Sequence, residues 1–277
     1  MNYLGYNDFV PCLYREMGIS ENTFRRTGWK QTCHVLYTMA LRGWSVWSDL
    51  VANSKINRTT SAKILQELEK AGLIQTGEYL LSGNTSKASY FAVKFKVIEL
   101  SSLGRSCCTN VGWTPIESEW ARLRRLHEPK NQISKKHSAC VLHFAHHARL
   151  RGWEATVLPD ISETNSFFQP DVEVIQHRPY HEDARIMVEV ESRHYPNRQN
   201  KWWGMNTICE KISAGLGLVT YGYSQILHLT AEVRNMGIHA YATDIKSLRE
   251  DVARLKSTET PQNPIRYSDL PLFNIVF

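Results

Sequence analysis

The sequence lacks the features that define several common classes of protein. Its six cysteines contain no Cys-x-x-Cys pair, which argues against a zinc ribbon. No run of about 18 or more apolar residues occurs, so we expect no membrane-spanning helix and no membrane partner. A Walker-type phosphate loop and a Rossmann glycine fingerprint are both missing. Internal repeats, low-complexity tracts and coiled-coil heptads are absent as well.

The opening residues and the cysteines favour a cytoplasmic location. Residues 1–5 contain no basic residue and no apolar run, so we expect no secretion signal. Cysteines without a disulfide framework are typical of a reducing compartment. We therefore expect a cytoplasmic protein with free thiols.

Positive charge is concentrated in the first part of the chain. Residues 1–110 hold 13 Lys and Arg against 8 Asp and Glu, whereas residues 111–277 hold 20 against 19. A basic N-terminal part is typical of a polyanion binder, although a mildly basic solvated surface has the same composition. The hydrophobic fraction of 42% is sufficient for a buried core, and 277 residues indicate one or two domains.

The N-terminal part has the order of three helices followed by a hairpin. Apolar spacing and stop signals predict helices at 29–41, 46–53 and 59–71 and strands at 78–81 and 89–95. Ser45 is expected to cap the second helix. This order resembles a winged helix-turn-helix over about residues 28–105, which implies a DNA-binding α+β domain at 1–110.

The winged-helix resemblance implies that the start of the third helix contacts DNA. Such a helix presents its first residues to base edges and phosphates. Arg side chains read guanine, Thr and Lys mostly contact phosphate, and a Lys at the tip of the hairpin reaches the backbone or the minor groove. The predicted DNA-binding residues are Asn57, Arg58, Thr59, Thr60, Lys63 and Lys87. The alternative interpretation is a solvated helix face.

Two strand-like segments in the second part of the chain carry carboxylates on one face. Segments 168–174 and 186–192 alternate apolar and acidic residues, so valines point one way and carboxylates the other. A hairpin centred near Tyr180 would place Asp171 opposite residues 189–191. Two carboxylates about 4 Å apart repel by roughly 4 kcal/mol at an effective dielectric of about 20. A hard divalent cation such as Mg²⁺ would cancel that repulsion.

Helices and strands alternate around these two segments. After a connector at 111–133, which contains a short helix at 117–126, the α/β domain is predicted to occupy 134–277. Its predicted helices are 134–151, 199–214, 224–235 and 244–255, and its further strands are 153–158, 218–221 and 238–242. Asp244 is expected to cap the last helix.

Pro170-Asp171, followed by Glu189-Val190-Glu191 between two predicted helices, resembles the motif of the PD-(D/E)XK nuclease superfamily. The resemblance covers about residues 134–245 and implies a restriction-endonuclease-like mixed sheet flanked by helices. It also implies that the carboxylates of Asp171 and Glu189 and the carbonyl of Val190 hold one or two Mg²⁺ or Mn²⁺ ions.

The third position of the motif departs from the usual pattern, because Glu191 stands where the superfamily usually has Lys. Glu191 would then act as a general base or as another oxygen ligand. Alternatively, a basic residue of the following helix reaches the site, with Lys211 the first choice and Lys201 the second. The preceding helix lacks the acidic residue common in the superfamily, and His137 is the candidate to replace it as a ligand or water-orienting group.

A histidine pair on the same predicted helix is a weaker candidate. His143 and His147 have the i, i+4 spacing of a zinc site. No Glu lies between them in the metalloprotease arrangement, so a structural role is the preferred interpretation.

The two resemblances together predict a metal-dependent endodeoxyribonuclease that recognises a DNA site and nicks or cleaves it. Plasmid mobilisation relaxases of the MOBC type join these modules in this order. The expected partners are double-stranded DNA, single-stranded DNA at the nick, and either a second copy of the chain or accessory DNA-processing proteins. Two alternatives remain: a DNA-binding transcriptional regulator with an inactive nuclease-like fold, and an RNA nuclease whose winged helix binds protein.

Overall fold

The chain forms two compact units, Met1–Leu126 and His127–Phe277. The computed structural model describes residues 29–81, 93–127, 135–164, 166–178, 181–191, 198–257 and 266–277. Residues 111–126, expected from the sequence to belong to a connector, lie within the first unit. Among the described residues, no helix has the length and apolarity needed to cross a membrane.

The first unit combines helices with one antiparallel hairpin. Its elements are α1 (Trp29–Arg42), α2 (Trp47–Asn53), α3 (Arg58–Lys70), β1 (Ile74–Leu81), β2 (Val93–Leu100), α4 (Ser102–Asn110) and α5 (Glu119–His127), the last of which ends on the first residue of the second unit. The hairpin pairs Ile74 with Leu100 and Leu81 with Val93. β1 begins earlier and β2 ends later than predicted, because buried apolar residues continue back to Ile74 in β1 and on to Leu100 in β2. The predicted strand residues 89–92 lie outside the described part of the structure.

The core of the first unit lies where α1, α3 and the hairpin meet. It contains Leu36, Met39, Ile64, Leu65, Leu68, Leu73 and Ile98. On α3, Ile64, Leu65 and Leu68 are buried, whereas Ala62 is exposed. The helical spacing of these positions therefore fixes which face of α3 points away from the core.

The N-terminal caps of α2 and α3 are formed by different kinds of residue. Asn57 caps α3, since its side chain accepts a hydrogen bond from the Thr60 amide at 2.8 Å. The prediction that Ser45 caps α2 was wrong, because the N-cap residue is Val46. The Ser45 hydroxyl instead accepts a hydrogen bond from the amide of Trp120 at 3.0 Å, which ties α5 to the body of the unit.

The second unit contains a six-stranded mixed sheet, which confirms the predicted α/β class. The strands, in spatial order, are β3 (Glu154–Val157), β4 (Val172–Gln176), β5 (Ala184–Glu191), β6 (Gly215–Thr220), β7 (Ala240–Asp244) and β8 (Ile275–Val276). The pairs β5–β6 and β6–β7 are parallel, and the other pairs are antiparallel. The helices are α6 (Lys135–Leu150), α7 (Gln199–Lys211), α8 (Tyr223–Asn235) and α9 (Ile245–Ser257).

Helices α7 and α8 cover one face of this sheet. Trp202 and Met205 of α7 share a core cluster with Met187 of β5, and the same cluster contains Ile226 of α8 and Leu218 of β6. Side chains alternate along a strand, so Glu189 and Glu191 lie on the same face of β5 as Met187. The carboxylates therefore stand on the face that α7 covers.

The register of the β4–β5 hairpin confirms the pairing expected from the sequence. Val172 pairs with Val188, and every pair of the ladder is symmetric about position 180. Continuing this register by one residue places Asp171 opposite Glu189. The first strand begins at Val172 rather than at residue 168, because Pro170 has no amide hydrogen to donate to the ladder.

The predicted cap of α9 is also confirmed. The Asp244 carboxylate accepts hydrogen bonds from the Ser247 amide at 2.9 Å and from the Ser247 hydroxyl at 2.6 Å. Asp244 also closes β7, so one buried residue ends a strand and starts a helix.

Gly104 provides a test of packing in the first unit. A Cβ atom at this position would overlap the backbone carbonyl oxygen of Leu73. Alanine is favoured over glycine within a helix by about 1 kcal/mol, yet overpacking costs about 1–3 kcal/mol and the contact here is backbone. We expect Gly104→Ala to lower the free energy of unfolding by about 1–2 kcal/mol in urea titrations.

Gly222→Ala is the matched control, because a Cβ there meets no atom within 4 Å. This variant should lower the free energy of unfolding by less than about 1 kcal/mol, since Gly222 is the N-cap of α8 and Ala is less favourable than Gly there. A Gly104→Ala protein as stable as the wild type would contradict the packing described for α4.

Candidate metal centre

The two glutamates at the end of β5 lie beside the start of α7, and the strand directions explain why. β5 and β6 are parallel, so the helix that joins them must run back along the sheet and begin where β5 ends. The first turn of α7 therefore lies beside Glu189 and Glu191. Lys201 Nζ donates to Glu191 Oε1 at 2.6 Å and also to Glu189 Oε1. Arg198 Nη1, just before the helix, donates to the same Glu191 oxygen at 2.8 Å.

Asp171 connects the two strands of the hairpin and faces two histidines. Its Oδ2 accepts a hydrogen bond from the amide of Val190 at 2.9 Å. Its Oδ1 accepts one from His137 Nε2 at 3.2 Å, and His127 Nε2 lies 3.9 Å away from the same oxygen. The two imidazole rings meet edge to face, with their centroids 4.7 Å apart.

The site is withdrawn from solvent. Asp171, Glu189 and Glu191 are 3%, 6% and 8% exposed, and His127 and His137 are 7% and 6% exposed. Buried carboxylates require positive partners, because an uncompensated charge in the protein interior is strongly destabilising. Lys201 and Arg198 supply that compensation for the two glutamates.

Burial and neighbouring charges shift the pKa values of the site in different directions. Burial, assisted by the Asp171 carboxylate, raises the pKa of Glu189 to about 8, although Lys201 opposes the shift. Burial alone would raise the pKa of Asp171, but the charges of His137 and Lys201 bring it below its ordinary value. The pKa of Lys201 is raised, since the attraction of Glu189 and Glu191 outweighs the effect of burial.

Four of the five predicted catalytic residues lie close together in the structure. The fifth, Lys211, lies elsewhere, and Lys201 occupies the place expected of it. Asp171, Glu189, Glu191 and His137 converge as the motif implied. Lys211, the first-choice lysine, instead donates to the backbone carbonyl of Thr164 at 3.0 Å. It lies ten residues beyond Lys201, about 15 Å further along the helix axis, toward the opposite end of the sheet.

Val190 and His127 add two further groups beside Asp171. The Val190 amide donates to the Asp171 carboxylate, and the expectation that the Val190 carbonyl binds a metal stays a prediction. His127 was not identified, because it lies in the segment interpreted as a connector and forms no motif with Asp171. Among the described residues, His127, His137 and Asp171 are the three metal-binding side chains whose donor atoms lie within 4.8 Å of one another.

The predicted DNA-binding residues lie at the start of α3. Asn57, Thr59 and Lys63 are exposed, and Thr60 is half-buried. The backbone of Arg58 opens α3, but its side chain lies outside the described part of the structure, as does all of Lys87. The described residues therefore form a polar, solvated surface at the first turns of this helix.

His143 and His147 form a stacked pair on α6, with ring centroids 4.8 Å apart. The Arg151 guanidinium donates to His147 Nδ1 at 3.0 Å. Burial, together with His143 and the other neighbouring basic groups, holds the pKa of His147 well below its ordinary value. A guanidinium beside the pair repels a bound cation, which favours the structural interpretation.

Comparisons with known proteins gave no match: no family model, no curated protein and no solved structure corresponds to the chain.

Lys201 and Lys211 provide a matched pair of substitutions on one helix. Removing one partner of a buried ion pair costs about 3–5 kcal/mol, and Lys201 keeps 21% of its side chain exposed. We expect Lys201→Met to lower the free energy of unfolding by roughly 2–4 kcal/mol in urea titrations with a chelator present. Lys211→Met loses one hydrogen bond to a carbonyl and should cost about 1 kcal/mol.

Equal losses in the free energy of unfolding for the two variants would show that Lys201 is not needed to compensate the charges of Glu189 and Glu191. Adding Glu189→Gln to Lys201→Met should recover part of the stability, because the double variant buries one negative charge fewer.

Proposed function

We propose that the protein is a metal-dependent DNA endonuclease of the PD-(D/E)XK type that binds its target through a winged-helix unit. The observation that carries this proposal is the buried pairing of Asp171 with Glu189 across the β4–β5 hairpin. A solvated sheet face would leave such carboxylates in water. Here they are buried, and a lysine lies in contact with Glu189.

The order of elements around the hairpin supports a nuclease-like core. A helix precedes the sheet, β4 and β5 form a hairpin, and α7 crosses from β5 to the parallel strand β6. The carboxylates stand where β5 meets the start of α7. Lys201 places an ammonium beside the acidic cluster, which supports the idea that a lysine from the following helix supplies the charge lost at position 191.

The donor set fits a divalent cation centred on Asp171. Carboxylate oxygens and imidazole nitrogens are the ligands that divalent metals take in catalytic sites. Asp171, with His137 and His127 close by, would hold the ion, and Glu189 is the neighbouring carboxylate. A bound cation would polarise the scissile phosphate and lower the pKa of a water molecule. The ammonium of Lys201 would attract phosphate oxygens.

The first unit supports recognition of duplex DNA. Helices α1, α2 and α3 precede the hairpin, and Val46 forms a bridge with Val97 that adds a third short strand segment beside it. Asn57, Thr59 and Lys63 are exposed at the start of α3, where a recognition helix contacts DNA. The excess of basic residues in 1–110 favours a polyanionic partner. Nicking during plasmid mobilisation, as in MOBC-type relaxases, is the narrower form of this proposal.

One observation favours a regulator with an inactive nuclease-like fold. Lys201 and Arg198 already compensate the charges of Glu189 and Glu191, in the manner of an internal ion-pair network that replaces a metal. In that case the second unit would bind no divalent cation, and the first unit alone would act on DNA.

The proposed cleavage site predicts separable effects of substitutions. Asp171→Asn and Glu189→Gln should remove Mg²⁺- or Mn²⁺-dependent cleavage of plasmid DNA and leave duplex binding nearly unchanged, because both variants keep side-chain shape. Gel assays of nicked and linear products measure the first effect, and fluorescence anisotropy measures the second. Glu173→Gln is the control, since Glu173 lies on the same hairpin but pairs with Arg185.

Cleavage by both carboxylate variants at the wild-type rate would refute the nuclease proposal. Loss of duplex binding together with cleavage would instead refute the separation into a binding unit and a catalytic unit.

The proposed DNA surface predicts a change in salt dependence. Each phosphate contact that is lost lowers the slope of log affinity against log salt by about 1. Lys63→Ala should therefore weaken duplex binding and reduce that slope by about 1, whereas Lys70→Ala, at the far end of α3, should change it less. The same titration with duplex RNA separates the RNA-nuclease alternative, which predicts tighter binding of RNA than of DNA.

A further inference from the structure

The second histidine beside Asp171 points to a metal site of a different kind from an all-oxygen magnesium site. We propose that His127, His137 and Asp171 bind a first-row transition-metal dication, of the class of Co²⁺, Zn²⁺ or Mn²⁺. The site needs no DNA cleavage to exist, so its test is independent of the proposed function.

Three separate segments of the second unit converge on this site. His127 is the last residue of α5, His137 lies in the first turn of α6, and Asp171 immediately precedes β4. All three side chains are buried, and one donor atom from each lies within 4.8 Å of the others. Convergence of three chain segments on one carboxylate oxygen is not imposed by any local turn or helix geometry.

The distances fit an ion with little rearrangement. Bonds of zinc to nitrogen and to carboxylate oxygen are about 2.0–2.2 Å, so two donor atoms on one ion lie about 3.0–3.5 Å apart. His137 Nε2 and Asp171 Oδ1 are already 3.2 Å apart. His127 Nε2 is 3.9 Å from the same oxygen, and all three donor atoms lie within 4.8 Å of one another, so closing the set around one ion requires a movement of up to roughly 1.3 Å.

A structural ion pair explains only half of this arrangement. A buried carboxylate that needs a histidine partner is satisfied by His137, which donates to Asp171 Oδ1. The second imidazole packs edge to face against the first and presents its Nε2 toward the same oxygen. Two nitrogen donors and one oxygen donor around one point match the two-His, one-carboxylate set of transition-metal sites.

The neighbouring carboxylates do not complete an oxygen cage around the same point. Glu189 and Glu191 accept hydrogen bonds from Lys201, and Glu191 also accepts one from Arg198. The second oxygen of Asp171 accepts the Val190 amide. Mg²⁺ prefers oxygen ligands and near-ideal octahedral geometry, whereas imidazole suits the later first-row metals.

Cobalt titration of the full-length, metal-free protein tests the site, because Co²⁺ has visible absorption bands that report nitrogen ligands. We expect one Co²⁺ per chain, unaffected by an excess of Mg²⁺ and displaced by Zn²⁺. His127→Ala and His137→Ala should each weaken binding by at least about 10-fold, since even outer-shell partners of metal ligands contribute about 10- to 100-fold. His146→Ala, on α6 but outside the group, should bind Co²⁺ like the wild type.

A second measurement needs no substitution. In proton NMR of the cobalt-loaded wild type, we expect two strongly shifted, exchangeable imidazole N–H signals, one from each ligating histidine. Absence of Co²⁺ binding, binding that both histidine variants retain, or displacement of Co²⁺ by equimolar Mg²⁺ would overturn the proposal. If Co²⁺ binds in this way and no DNA is cleaved, the metal site stands and the nuclease proposal falls.

Discussion

The second unit depends on carboxylates that oppose one another across a β-hairpin in the protein interior. Two charged carboxylates about 4 Å apart would repel by roughly 4 kcal/mol at an effective dielectric of about 20, and burial together with this repulsion raises the pKa of Glu189 to about 8. The chain compensates with positive groups from separate segments: Lys201 from the first turn of α7, Arg198 from the residue before it, and His137 from α6. The hairpin, the crossover helix and the preceding helix are thus fixed relative to one another by electrostatics as well as by apolar packing.

The parts of the fold that follow from local patterns could be predicted from the sequence. Alternation of valines and carboxylates, together with a turn centred near position 180, is sufficient to place Asp171 opposite Glu189. Asp244 was recognised as a cap because capping involves residues only three apart. Ser45 was misassigned for the opposite reason, since its hydroxyl serves the amide of Trp120, 75 residues later in the chain. A hydrogen bond between residues far apart in the chain leaves no periodic pattern in the sequence from which it could be predicted.

The candidate site likewise contains residues that local sequence patterns predict and residues that they do not. The choice between Lys201 and Lys211 could have been made from the sequence, because a crossover helix between parallel strands begins at the carboxyl end of the first strand. His127 could not have been found in this way, since it lies 44 residues before Asp171 and shares no motif with it. In the proposed metal site its imidazole would change the chemistry, because imidazole donors favour transition metals over magnesium.

Anomalous diffraction from crystals soaked in Mn²⁺ is the most direct test of the proposed cation at Asp171. We expect an anomalous peak about 2.0–2.2 Å from Asp171 Oδ1, on the side facing His127 and His137. A crystal at high Mn²⁺ concentration with no peak there, and with His137 still donating to Asp171, would refute the proposed metal site. The acidic cluster would then be an internal ion-pair network, and the protein would act through its first unit alone.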